Sequence, residues 1–391
     1  MKIPFKLSED TFDKKEVNAV KNILNNNEKL TYGRYVKKLE KKIALLNNRK
    51  YCVMTNSGSS ANLIGVASIF YSQKFDLKMG DEVIVPSLSW STTYSPLIQF
   101  NLKLVFVDIN INSLNLDEDL IEKSISKKTK AIFAVNILGK SNNFQKLNKI
   151  CKKYNLILMV DNCESFLSKY RNQISAKYGV FSTLSSFFSH HFSTIEGGYF
   201  LTDDFNIYCT ALSLRSHGWI REQPKNSKLI KKKYSNFERS YKFILPGYNL
   251  RPTEINAVIG LEQVKKVKKF IENRKKNAKY FYELFKDCKN VNIIEYDNES
   301  SHFAFVIILK KNIRNKIVNL LSKKGIETRP IVSGNILNNE MLKYSKYRIG
   351  SKIDNVKVVE KKGIMIGNRS NLFNNIDREA LIYIKKTIET N

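Results

Sequence analysis

Four histidines occur in the 391 residues, and two of them are adjacent, His190 and His191. They sit in Ser185-Ser186-Phe187-Phe188-Ser189-His190-His191-Phe192-Ser193-Thr194-Ile195-Glu196-Gly197-Gly198. An apolar, β-rich run (residues 178–188) leads in, and a second strand-like run, Tyr199-Phe200-Leu201-Thr202, leads out. Imidazoles exchange protons near neutral pH, and reactive side chains are commonly displayed on loops held between strands. Lysine is abundant, yet none occurs between Lys177 and Lys225. The stretch therefore offers histidine chemistry and lacks an amine.

Three further groups fall at the ends of apolar runs. Asp161 closes Leu156-Ile157-Leu158-Met159-Val160. A carboxylate there can keep a pyridinium nitrogen protonated, which makes a pyridine ring an electron sink. Trp90 offers a flat face on which such a ring can stack. Gly58 and Ser59 lie where a strand-like run turns into a helix start, a place where free N–H groups and the helix dipole attract a phosphate. Each group also has a plain structural reading: Asp161 as a helix cap, Trp90 as core, Gly58-Ser59 as an ordinary turn. Together, and in this order, they describe a site for pyridoxal phosphate.

The elements that must position these residues follow from periodicity. Residues 13–26 and 35–46 read as amphipathic helices. Short, nearly all-apolar runs at 51–54, 82–85, 104–107, 131–135 and 156–160 read as strands. Helical segments lie between them at 63–70, 90–99, 117–126 and 143–154. That alternation predicts an α/β fold, a parallel sheet covered on both faces with ligands beyond the carboxyl ends of its strands. Further helices are expected at 206–214 and from Thr253 onward, the latter continuing as a long bridging helix over about 264–286. Residues 223–240 read as a polar loop, 303–309 as a strand and 312–323 as a helix. The expected division is a large cofactor-binding domain, residues 1–262, and a smaller C-terminal α+β domain, residues 263–391.

Composition narrows the function classes. The net charge is +30, but the lysines are dispersed, and no zinc-finger, RNP or basic-arm pattern occurs, so no nucleic-acid partner is expected. Solvated lysines and an anionic small substrate account for the charge better. Five scattered cysteines without a CxxC spacing argue against a metal or iron–sulfur centre and for reduced thiols. No stretch reaches the ~20 apolar residues of a membrane span, and the first residues lack a signal-like apolar core. The expectation is a cytoplasmic enzyme with no membrane partner.

Several segments carry a family resemblance. They are Ser57-Gly58-Ser59-Ser60-Ala61-Asn62, Val85 to Tyr94, Val160-Asp161-Asn162-Cys163-Glu164-Ser165, Ser185 to Gly198, Leu214 to Trp219, Leu245 to Pro252 and Glu327 to Val332. The chain resembles the fold-type I, pyridoxal-phosphate-dependent sugar aminotransferases (the DegT group), whose fold is aspartate aminotransferase-like. Within that group it is similar to the branch of 3-dehydratases acting on GDP-linked 4-keto-6-deoxy sugars. In the aminotransferases a lysine lies six residues before the Glu of Glu-Gly-Gly; counting back from Glu196 gives His190. The resemblance implies a non-covalently held pyridoxal or pyridoxamine phosphate, with His190 as catalytic base. It implies L-glutamate as amino donor, a GDP-sugar substrate, a role in surface polysaccharide biosynthesis, and a homodimer with shared sites.

By motif position, Gly58, Ser59 and Ser185 would hold the phosphate, with Asn249 from the neighbouring subunit. Trp90, Asp161 and Glu164 would meet the ring. Ser189, His217, Arg221, Glu327 and Arg329 would line the pocket for substrate or glutamate, although Arg221 and Arg329 also suit ion pairs and His217 a structural role. His191 would orient its loop, and His302 is expected to be structural or exposed. Rival readings are the same chemistry on a GDP-heptose, a sugar aminotransferase, an iron–sulfur-dependent 3-dehydrase and a non-catalytic relative.

Overall fold

The computed structural model describes residues 2–26 and 29–391. Two helices, α1 (Lys14–Asn25) and α2 (Arg34–Leu46), precede the first strand. A capping box starts α1, Asp13 and Glu16 each satisfying the other's end of the turn. Helix α2 has only Gly33 at its N-cap and no side-chain cap of its own. Its free N–H groups are met from elsewhere: Glu254 accepts from Gly33, Tyr35 and Val36 at 2.8–2.9 Å.

The large sheet is built from β1 (Tyr51–Thr55), β2 (Glu82–Pro86), β3 (Lys103–Val107), β4 (Thr129–Val135) and β5 (Ile157–Asp161). A two-residue hairpin, β6 (Lys169–Tyr170) with β7 (Gln173–Ile174), precedes β8 (Phe181–Ser185) and β9 (Gly198–Thr202). The interleaved helices are α3 (Gly58–Phe70), α4 (Ser91–Gln99), the short α5 (Ile121–Ser124), α6 (Phe144–Tyr154) and α7 (Phe205–Arg215). Then come α8 (Asn236–Tyr241) and α9 (Glu254–Phe285). After these lie β10 (Val291–Ile293), β11 (Ala304–Leu309), α10 (Arg314–Lys323), β12 (Tyr347–Ile349), α11 (Asn355–Lys362), β13 (Gly363–Gly367) and α12 (Asn375–Glu389).

Strand order in the large sheet is β1-β9-β8-β5-β4-β2-β3-β12. Only β9 runs against the others. The inner strands are buried along nearly their whole length because helices cover both faces. The carboxyl ends of β1, β2, β5 and β8 therefore share one edge of the sheet. They carry the turns that begin α3 and α4, Asp161 itself, and the His-His loop.

Three local expectations shift. Helix α3 begins at Gly58 rather than Leu63, because Ser57 accepts the Ser60 N–H and caps it. The 117–126 segment is a 3₁₀ turn followed by α5 rather than one helix. The polar 223–240 stretch contains α8, begun by a Ser235/Glu238 capping box.

A second sheet, β10-β11-β13, is antiparallel and has its own core. That core also takes Ile3 and Phe5 from the start of the chain. Helix α9 passes without interruption through position 262, where the sequence placed a division. A further apolar cluster joins Leu88, Val135 and Leu138 of the large part to Val306, Ile331 and Met365 of the smaller one. The two parts thus meet through packed side chains rather than a polar linker. Among the described residues no helix is long and apolar enough to cross a membrane, and no cluster of potential metal ligands occurs. Four cysteines are buried and Cys163 is half-buried; all five are free thiols.

Candidate active site

Asp161 is the last residue of β5 and is buried. Its Oδ2 accepts from Asn62 Nδ2 at 2.7 Å and from Thr93 Oγ1 at 2.8 Å. Its Oδ1 accepts from the Cys163 N–H at 3.1 Å. Asn62 is itself oriented by Thr183 Oγ1, which donates to its Oδ1 at 2.6 Å. Four elements, α3, α4, β5 and β8, thus converge on one carboxylate. A carboxylate has about four acceptor positions, so one remains for a protonated ring nitrogen. Asn62 and Thr93 lie inside the motifs read from the sequence, but nothing local in those motifs said that they would hold Asp161.

Gly58 opens α3 beside β8. A Cβ at this position would lie 2.7 Å from Ser185 Cβ and 3.2 Å from Cys163 Sγ. Glycine is required because the helix start is pressed against Ser185. That brings the first N–H groups of a thirteen-residue helix next to Ser185, with Ser59 exposed beside them. Trp90 precedes α4, three residues before the Thr93 that holds Asp161, and its ring is 50% exposed. Arg329 lies over that ring, guanidinium carbon 5.5 Å from the centroid. Its Nη2 donates to the Val332 carbonyl.

Glu164 accepts the Leu138 N–H at 3.0 Å. Burial pushes its carboxyl up to about 7; the Leu138 N–H opposes the rise, Asp161 adds to it and Arg329 opposes it. A second carboxyl in the site therefore changes protonation near neutrality.

His190 stands between two aromatic edges, Phe303 at 5.1 Å and Phe187 at 6.0 Å between ring centroids. Its Nδ1 is buried without a hydrogen-bond partner. Burial, then the positive charge of Arg274, hold the imidazole down to about 3. The sequence led us to expect a group titrating near neutral pH. The enclosed, cation-facing ring is instead neutral there, which is the proton-accepting form. His191 is buried, its Nε2 3.2 Å from the Ser301 carbonyl, in keeping with a part in fixing the loop. His302 bonds the Asp297 carbonyl and stacks on Tyr296.

The remaining predicted residues lie apart from Asp161. His217, Arg221 and Asn249 gather around Trp219. The His217 ring is 4.9 Å and the Arg221 guanidinium 4.1 Å from the Trp219 ring, and Asn249 Oδ1 accepts from Arg251 Nε. Asn249 is exposed and pairs with Ser216 in a β-bridge. Glu327 is exposed and accepts the Leu7 N–H. Ser189 lies at the tip of the His-His turn, where the His190 N–H bonds the Phe187 carbonyl. Sequence reasoning missed Leu138, Arg274 and Phe303. Each comes from a distant segment, and none stands in a motif.

The residues present fit a pyridine ring bearing a phosphate. Asp161 has an open acceptor position at a strand end, Trp90 a half-exposed flat face near it, and position 58 admits only hydrogen at a helix start.

Comparison with known proteins agrees with that fit. The profile of the DegT/DnrJ/EryC1/StrS aminotransferase family matches residues 10–375. The chain is 45% identical, over 97% of its length and 100% of the relative's, to the GDP-4-keto-6-deoxy-D-mannose 3-dehydratase of Escherichia coli O55:H7 (strain CB9615 / EPEC). It is 44% identical, over 95% of its length and 98% of the relative's, to that of Yersinia pseudotuberculosis. Among solved structures, an E. coli GDP-4-keto-6-deoxy-D-mannose-3-dehydratase with bound hydrated PLP superposes with a TM-score of 0.94 at 43% identity, covering 99% of this chain and 100% of that one.

Proposed function

Because the chain belongs to the DegT/DnrJ/EryC1/StrS aminotransferase family, we propose that it is a pyridoxal-phosphate-dependent 3-dehydratase of a GDP-linked 4-keto-6-deoxy sugar. The product would be a 3,6-dideoxy-4-keto sugar for surface polysaccharide. Glutamate serves as the amino donor, and His190 is the base. One observation carries this reading. The residue six positions before Glu196 is a histidine in a stretch free of lysine, in the loop after β8 at the sheet edge where Asp161 keeps an acceptor position open for a pyridinium. The curated relatives that match along their whole length carry the same activity in their names.

When bound, the cofactor would supply an electron sink and carry the amino group. The chain's residues supply the rest. Asp161 keeps the ring nitrogen protonated, and Asn62 and Thr93 keep Asp161 aimed. Trp90 covers one face of the ring. The start of α3, with Ser59 and Ser185, binds the phosphate, completed by Asn249 of a second copy. His190 accepts and returns the proton that the reaction moves. No lysine amine competes in its loop, so the cofactor is held non-covalently and the amino group is not left on the sugar. Loss of oxygen at C3 is a two-electron reduction. It is balanced by oxidation of glutamate to 2-oxoglutarate and ammonia.

The test is incubation with pyridoxal phosphate, glutamate and a panel of nucleotide-linked 4-keto sugars, hexose and heptose, followed by mass spectrometry. A product lacking the C3 oxygen and containing no added nitrogen is expected. A retained amino group, or a lysine-linked pyridoxyl peptide after borohydride, would overturn the reading in favour of a sugar aminotransferase.

A further inference from the structure

We propose that Phe303 is a positioning residue for His190, its ring held against the imidazole by a three-residue strap, Ser301-His302-Phe303, that the fold fixes on several sides. The proposal rests on His190 being the base of the reaction above.

The strap crosses from the start of β11 to the large part of the molecule. The Ser301 N–H donates to the Gly139 carbonyl at 3.0 Å, and the Phe303 N–H to the Leu138 carbonyl at 2.9 Å. Asn368 Nδ2 donates to the His302 carbonyl at 2.7 Å, and Arg274 Nη1 to the Phe303 carbonyl at 2.9 Å. The Ser301 carbonyl faces His191 Nε2. Backbone conformation shows how tightly the crossing is made. His302 has φ +42° and Leu138 φ +50°, both left-handed for residues with a Cβ. At Gly139 a Cβ would lie 2.5 Å from the His302 nitrogen. Such conformations persist only where the surroundings over-determine them.

What the strap presents is one aromatic ring, set 69° to the His190 plane and also 5.6 Å from His191. Phe303 is only half-buried, so its ring is not part of a sealed core. His190 has no hydrogen bond to orient it among the described residues, and its Nδ1 is enclosed without a partner. Ring contacts, from Phe187 and Phe303, must then set its angle. Arg274 pins the strap from behind. It is buried, and its Nη1 donates to the Phe303 and Asn368 carbonyls. Arg274 and His191 are the charged or titratable groups that couple to His190. The same Leu138 that takes the Phe303 N–H gives its own N–H to Glu164. One short bridge thus connects the Glu164 carboxyl to the His190 ring.

The experiment compares Phe303→Leu and Phe303→Tyr in the wild-type and His190→Asn backgrounds, on the cofactor-loaded enzyme. In the wild-type background Phe303→Leu is expected to lower kcat by about 10- to 100-fold with both KM values little changed, while Phe303→Tyr keeps most of the rate. In the His190→Asn background the leucine is expected to cost at most about twofold more, since its effect runs through the missing ring. Imidazole NMR of the folded protein, assigned with four single histidine variants, should show the His190 signals and titration displaced by Phe303→Leu. Equal losses in both backgrounds, or an unchanged kcat with unmoved His190 signals, overturns the proposal. Should His190→Asn retain full turnover, the assignment of the base fails instead; the NMR comparison then decides the positioning role alone. If Phe303→Leu does not fold, Phe303→Met removes the ring edge at similar length, and both readouts apply to it.

Discussion

Glu164 shows what enclosure does to one side chain and how that can be measured. Its carboxyl titrates at about 7 in the folded chain, against an ordinary value of 4.5. Between those pH values the folded chain holds a proton that the unfolded chain has released. Stability therefore falls as pH rises through that window, and the full penalty is present above it. Glu164→Gln keeps an oxygen for the Leu138 N–H and removes the charge. Without cofactor, the variant should melt above the wild type at pH 8.5 and level with it at pH 4. The gap at high pH is on the order of 3 kcal/mol, at about 1.4 kcal/mol per tenfold change in proton affinity. Equal melting at both pH values would refute the raised titration. At this scale the sequence was informative where chemistry is local: Asp161, Gly58 and Trp90 could be picked out by type and position. It was silent on Arg274 and Phe303, whose importance arises only when segments some 80 to 110 residues away fold against the His-His loop.

Two helix starts in this protein are completed by other elements. Helix α2 is capped in trans by Glu254, and α11 by Asp108, whose carboxylate accepts the N–H groups of Asp354, Asn355 and Val356. Both caps join parts far apart in the chain, more than 200 residues in each case. Glu254→Ala leaves three N–H groups of the α2 start without acceptors. It should destabilise the fold by about 2–4 kcal/mol, read as a lower urea midpoint with faster hydrogen exchange at residues 33, 35 and 36. An unchanged midpoint would mean that water replaces the carboxylate there. Periodicity found the strands and helices of the large part from α1 to α7, and α9, β11 and α10 beyond it; it offered no reading for the β6–β7 hairpin, α8, β10, β12, α11, β13 or α12. It missed the true start of α3, because Ser57 and Gly58 look like turn residues until a helix is seen to begin on them. It could not find the trans caps, because an acid at the first turn of α9 reads as that helix's own N-terminal charge.

At the scale of the molecule, three of the residues expected at the site lie around Trp219 and make no contact with Asp161 in the same chain. The proposed shared-site dimer accounts for this separation, and it has a quantitative signature. Asn249→Asp and His190→Asn proteins, each of low residual activity alone, mixed and allowed to exchange subunits, should regain about a quarter of wild-type activity, since half the dimers then carry one intact site. No recovery, with exchange verified by mass, would place Asn249 in its own chain's chemistry or outside it. The alternation of strands and helices made the parallel sheet legible, but not the closing of the fold upon itself. Ile3 and Phe5 complete the core of the smaller sheet, with Phe5 bridged to Ile326. The edge strand β12 joins β3 across more than 240 residues. During translation, then, Ile3 and Phe5 must wait for β11 and β13, and the free edge of β3 for β12, until several hundred further residues have been made. With contacts this distant, the nascent protein carries an open strand edge until β12 has been made, and its yield in a cell should depend on how well chaperones guard it over that interval.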